Sequence, residues 1–138
     1  MPGKKFSLKG YLLGKPEVVE DYPFGPDAAV YKVHGKMFAL VFRDGTTESV
    51  NLKCHPLEAI ELRDVFSAVR PGYHMNKKHW NTVTLDGSLP AGELQRMIDN
   101  SYALVVKGLP KAVRTGLEVR HGQAALYPPA LRRPAATR

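Results

Sequence analysis

The sequence predicts an α+β domain, an antiparallel sheet with helices packed on one face, and three observations lead there. Runs rich in β-branched and aromatic residues follow one another in the first half, with tight-turn signals between them. Longer stretches with apolar residues three and four apart precede and follow those runs. At 138 residues and 43% hydrophobic content, the chain suits one domain with its own core.

Residues 6–15 read as a short helix capped by Ser7, with Leu8, Tyr11 and Leu12 on one face. Gly10 and Gly14 weaken it and Pro16 closes it. Residues 17–27 read as a loop punctuated by Pro23, Gly25 and Pro26. Two strands, 28–33 and 37–42, flank His34-Gly35-Lys36, and Arg43-Asp44-Gly45 turns into a third, 47–53. Gly35 and the Asp-Gly pair supply the positive φ of tight hairpins, so the three form an antiparallel meander. Residues 37–42 are apolar throughout, as in a strand covered on both faces; Val50 and Leu52 alternate with Ser49, Asn51 and Lys53, which predicts one polar face.

Pro56 opens a helix to about residue 66, with Leu57, Ile60, Leu62 and Val65 inward or flanking. After a loop, 79–85 reads as a fourth strand and Asp86-Gly87 turns the chain. Ser88-Leu89-Pro90 starts the longest helix, to about residue 107, with Leu94, Met97, Ile98, Ser101 and Val105 as its buried stripe. Gly108-Leu109-Pro110 ends it. From residue 111 the chain is rich in Pro and Arg and lacks periodicity, a composition that predicts disorder.

The net charge of +7 is unevenly spread. Residues 1–110 hold 14 basic and 12 acidic side chains, whereas 111–138 hold six basic ones against Glu118. Most basicity therefore belongs to a C-terminal extension, where it speaks to solubility or loose polyanion contact. A single cysteine, Cys54, forbids an internal disulfide and suits a reducing compartment. No signal-peptide pattern and no apolar run of about 20 residues is present, so the expected location is the cytoplasm, without a membrane partner.

Several segments are distinctive: SVNLKC at 49–54, the run VRPGYHMNKKHWNTVTLDGSLP at 69–90, EDYPFG at 20–25 and KGLP at 107–110. On these the chain resembles the MmcQ/YjbR family over residues 6–110, which sets apart a family-like domain, 1–110, from a basic extension, 111–138. The resemblance implies a CyaY-like (frataxin-like) fold, in agreement with the element order. It also implies DNA binding through two β-hairpin wings, a double-wing motif. One departure is His55, where the family often has aspartate; an imidazole is a poorer cap, so a weaker helix start is expected.

Residues 70–80 are the leading candidate for function. Arg70, His74, Asn76, Lys77, Lys78, His79 and Trp80 stand there beside Tyr73, with no acidic residue among them. Cationic side chains pair with phosphate oxygens, and aromatic faces stack on unpaired bases. The plainer reading is a solvated loop whose Trp80 plugs the core while Tyr73 packs on the sheet. Lys32, Lys36 and Lys53 extend the patch if the polar face of the meander lies on the same side; otherwise they are ordinary surface lysines. Lys36 makes the first hairpin tip basic, whereas Arg43-Asp44-Gly45 is neutral on balance. The nominated nucleic-acid-binding set is Lys36, Lys53, Arg70, His74, Asn76, Lys77, Lys78, His79 and Trp80.

Other chemistry finds less support. His74 and His79 lack the further ligands zinc requires. Frataxins handle iron through carboxylates on the first helix, and residues 7–15 carry none. Cys54-His55 suggests a nucleophile and base, but strand-end neighbours tend to point apart. Glu20-Asp21 reads as a turn and capping pair. With no Gly-rich phosphate loop or nucleophile elbow, no catalytic residue, cofactor or metal is expected. A non-enzymatic nucleic-acid-binding domain leads, with DNA as partner. A protein-interaction or small-ligand module is the alternative, in which the extension packs on a partner or a second copy. An enzyme using His74, His79 or Tyr73 is the third reading.

Overall fold

A computed structural model describes residues 6–132, apart from the Asp44 side chain. Arg133 and Arg138 of the basic extension lie outside the described residues. Six strands, β1 (Val18–Asp21), β2 (Ala28–Val33), β3 (Lys36–Asp44), β4 (Thr47–Lys53), β5 (Val69–Pro71) and β6 (Trp80–Thr84), form one antiparallel sheet ordered β1-β2-β3-β4-β6-β5. Helices α1 (Leu8–Leu13), α2 (Pro56–Val65) and α3 (Ala91–Lys107) cover one face. The predicted α+β layering is present, and the meander, α2 and α3 fall where the sequence puts them.

The turns follow from backbone chemistry. His34 (φ 46°) and Gly35 (φ 79°) give the two positive φ values of a type I′ hairpin, and Val33 pairs with Lys36 across it. At the second tip Gly45 alone carries positive φ (68°) between the paired Asp44 and Thr47. Ser7 caps α1 by accepting from Gly10 N at 3.0 Å. His55 caps α2 despite being an imidazole: its Nδ1 accepts from Leu57 N at 3.3 Å.

The core lies between sheet and helices. Phe38 meets Tyr102 edge-on at 5.3 Å, and Leu52, Val83, Leu94 and Ile98 are buried around them. Ser101 ties α3 to two strands, its Oγ donating to Phe38 O (2.6 Å) and accepting from Lys53 N (2.8 Å).

Four expectations need correction. The predicted loop 17–27 contains edge strand β1, in which Val18 pairs with Val33 and Asp21 with Val30; four residues are too few to show a period. The stretch before residue 79 holds a second short strand, β5. Residues 111–132 are not disordered: α4 (Lys111–His121), α5 (Gln123–Leu126) and a 3-10 turn (Pro129–Leu131) place Leu117, Leu126 and Tyr127 in the common core. On α2 only Ala59 and Leu62 are buried; Leu57, Ile60 and Val65 face outward, 68%, 60% and 69% exposed.

Candidate nucleic-acid interface

Register and strand alternation assign each sheet side chain to one of two faces. Asn81 points to the helices, its Nδ2 donating to Ala59 O of α2 at 3.3 Å. Its neighbours Trp80 and Thr82 therefore point to the opposite, open face. Pairing places Lys53 beside Trp80, Asn51 beside Thr82, and Arg70 on the other side of Thr82. Lys32 shares that face, bonded to Asp21 at 3.1 Å. The lysines of the meander and the 70–80 segment thus meet on one side of the sheet, except that Lys36 stands at the hairpin tip.

Ser49 and Asn51 also belong to this face, yet both are buried, contrary to the predicted polar, exposed face of β4. Burial follows from residues 72–79, which leave β5 at Pro71 and fold back over the sheet before β6. Gly72 permits the fold-back: a Cβ there would lie 2.9 Å from both the Cβ and the carbonyl oxygen of Trp80. Beyond it, Tyr73 N donates to Thr82 Oγ1 (2.8 Å), Thr82 Oγ1 donates to Asn51 Oδ1 (2.5 Å), and Asn51 Nδ2 donates to Tyr73 O (3.2 Å). This closed set fixes the loop to the middle of the sheet. The Tyr73 ring stacks on Phe42 at 5.9 Å and touches His74 at 4.0 Å, remaining 46% exposed.

Arg63 of α2 holds the same loop from the helix side. Its Nε donates to Asn81 Oδ1 at 2.7 Å, and its Nη2 donates to the carbonyls of Lys77 and Trp80. The sequence assigns no role to Arg63, Gly72 or Thr82, and places Asn51 only on a polar strand face. The available signal was Asn51 and Asn81 inside strands, where amides are depleted unless they have partners.

The nominated residues divide into those that build the loop and those left for a ligand. Asn76 Oδ1 accepts from Lys78 N (2.9 Å), its carbonyl accepts from His79 N (3.2 Å), and His79 O accepts from Cys54 N (2.8 Å). The Lys77 ammonium donates to Gly72 O at 3.1 Å, closing the loop on itself. By contrast, Lys36, Lys53 and Lys78 have no side-chain partner among the described residues. Arg70 makes one bond, Nε to Thr84 Oγ1 at 3.5 Å. Trp80 is half-buried on the open face and no ring packs on it among the described residues, so it does not plug the core.

Lys36 sits at the tip between β2 and β3, at the sheet end where β4 finishes with Lys53 and β6 begins with Trp80. The other tip, at Gly45, lies at the far end of the nine-residue β3, about 30 Å away at an extended rise. The two tips therefore do not face one patch.

Cys54 and His55 are turned to different tasks. Cys54 is buried with Sγ donating to Glu58 Oε1 at 3.6 Å, and burial together with the Glu58 carboxylate pushes its thiol up to about 12. His55 caps α2. Among the described residues, no group of three His, Cys, Asp or Glu side chains is placed to hold a metal, and no helix is long and apolar enough to cross a membrane.

The YjbR family model matches residues 13–104. The chain belongs to the YjbR family. It is 38% identical over 107 residues to YjbR of Escherichia coli strain K12, covering 78% of this chain and 91% of that protein. It is 37% identical over 105 residues to YbdF of Escherichia coli O157:H7, covering 76% and 86%. The crystal structure of Deinococcus radiodurans protein DR2400, a DUF419 domain, superposes with a TM-score of 0.74 at 39% identity, covering 80% of this chain and 84% of that one. A Pseudomonas syringae protein superposes at 0.61 with 32% identity, covering 68% and 92%. The YjbR match ends within α3, so α4 and α5 lie beyond it while sharing the same core.

Proposed function

We propose that this YjbR-family protein is a non-enzymatic, cytoplasmic nucleic-acid-binding domain that contacts DNA phosphates through the open sheet face and the end carrying Lys36. The supporting observation is the 72–79 loop, tied down from both layers, which leaves Lys78, Lys53 and Arg70 facing solvent with no acidic residue between Val65 and Leu85. A loop fixed before binding loses little entropy on contact. Phosphates repay such cations by releasing counterions. The unstacked Trp80 adds a face for a base.

The reading keeps the CyaY-like layering but alters the double-wing idea. Because the hairpin tips stand at opposite ends of β3, only the His34-Gly35 tip serves this site. The test is a titration of duplex and single-stranded DNA at two salt concentrations. Binding that weakens steeply with salt, and that Lys53→Ala with Lys78→Ala reduces, is the expected result. No binding at about 50 mM salt, where phosphate contacts are strongest, sinks the reading.

A further inference from the structure

The outward face of α2 is left to solvent among the described residues. Leu57, Ile60 and Val65 lie on one side of this helix, all largely solvated, although burying such side chains is worth roughly 1.5–3 kcal/mol each. Between them stand Glu61 and Asp64, exposed and without partners among the described residues. Beside this face runs an open groove of about 710 Å³, lined by Leu57, Glu61, Leu104, the Pro129–Leu131 turn and Arg96, whose guanidinium is already paired with Glu58 (3.4 Å) and Glu93 (3.1 Å). A clustered apolar surface rimmed by polar residues marks an interaction site.

We propose that this face docks a cationic amphipathic segment of a partner protein: apolar side chains enter the groove and lie along α2, while lysines or arginines pair with Glu61 and Asp64. Charge decides among occupants. Phosphate-bearing ligands are repelled by the two carboxylates. A symmetric second copy packed α2 on α2 would bring both copies' Glu61 and Asp64, four carboxylates unpaired among the described residues, into one interface. The protein as a whole carries +7, so attraction of a basic segment must be local to this face. The helix layer separates this surface from the loop over the open face, so the inference stands apart from the nucleic-acid reading.

The probe is a synthetic helical peptide of about 14 residues with leucine on one face and lysine elsewhere, compared with a counterpart carrying glutamate for lysine. Fluorescence anisotropy with the full chain should show micromolar binding of the lysine peptide and at least tenfold weaker binding of the glutamate peptide, against the sense of the net charge. Leu57→Ser with Ile60→Ser should weaken the lysine peptide at least tenfold while leaving the thermal midpoint in place, because both side chains are already exposed. Glu61→Lys with Asp64→Lys should reverse the preference. The proposal is overturned if the lysine peptide does not bind, if the glutamate peptide binds as well, or if the serine pair changes nothing. Sedimentation showing a dimer that Ile60→Ser dissolves overturns it in favour of a second copy.

Discussion

Glu17 and His34, two non-glycine residues held at positive φ (58° and 46°), bond to each other, His34 Nε2 lying 2.8 Å from Glu17 Oε1. The other carboxylate oxygen belongs to α4, accepting from Arg120 Nε at 2.7 Å and lying 2.6 Å from His121 Nε2. One side chain thereby joins the start of β1, the first hairpin tip and the C-terminal helix. Strained backbone persists where surrounding bonds hold it.

These partners set an acid response. Hydrogen bonds from Arg120, then His121 and His34, draw Glu17 down from 4.5 to about 2. A depressed carboxylate contributes stability that is whole above its unfolded value and is lost as pH falls through its folded value. The difference in thermal midpoint between the wild type and Glu17→Gln should therefore close as pH falls from 4.5 toward 2. A difference that stays constant through that window would show the latch contributes nothing.

Residues 111–132 are part of the fold. Ending the chain at Pro110 removes Leu117, Leu126 and Tyr127 from the common core. Thermal melting should fall by more than about 5 °C, or cooperative folding should be lost. Leu117→Ala alone should cost about 2–5 kcal/mol in denaturant titration. An unchanged midpoint after truncation would mean these helices rest on the core without supporting it.

Gly72 offers a test of the loop's rigidity. A methyl group 2.9 Å from the Trp80 carbonyl and Cβ forces backbone to move, because neither atom is the free end of a side chain. Gly72→Ala should destabilise the fold by about 1–3 kcal/mol. Hydrogen exchange at Tyr73 N, which donates to Thr82 Oγ1, should accelerate in the same variant. An alanine variant with native stability and exchange would show that residue 72 has room the geometry denies.

The lysines should separate by role in DNA binding. Lys53→Ala with Lys78→Ala should make the slope of log affinity against log salt shallower by about two for duplex. Lys77, already bonded to Gly72 O, should act through the loop's order, so Lys77→Ala should change stability as well as affinity. Equal effects of Lys77→Ala and Lys78→Ala on the salt slope, with stability untouched, would contradict this division.

Which parts were legible in the sequence follows from how each is encoded. The meander and α3 announce themselves because periodicity repeats over many residues, and Gly35 and Gly45 mark the turns. Strands β1 and β5, of four and three residues, are too short to carry a period and exist by pairing with neighbours. The alternation in β4 is real, but Ser49 and Asn51 are buried by a loop more than twenty residues later, which no local pattern contains. The same holds for α2: Leu57, Ile60 and Val65 look inward by composition, and only the packing shows Ala59 and Leu62 in that place. At the candidate site, the cluster at 70–80 was visible as charge. The split between Lys77 and Lys78 was not, since it depends on where a carbonyl points.

Cys54 gives the molecule an internal clock. Its thiol is buried beside Glu58 where α2 meets α3 and is held protonated, so a thiol reagent reaches it chiefly when that seam opens. The rate of labelling in native buffer therefore reports how often the seam between α2 and α3 opens, and comparison with global unfolding reveals whether it opens alone. A segment seated across α2 would slow that clock without touching the sulfur.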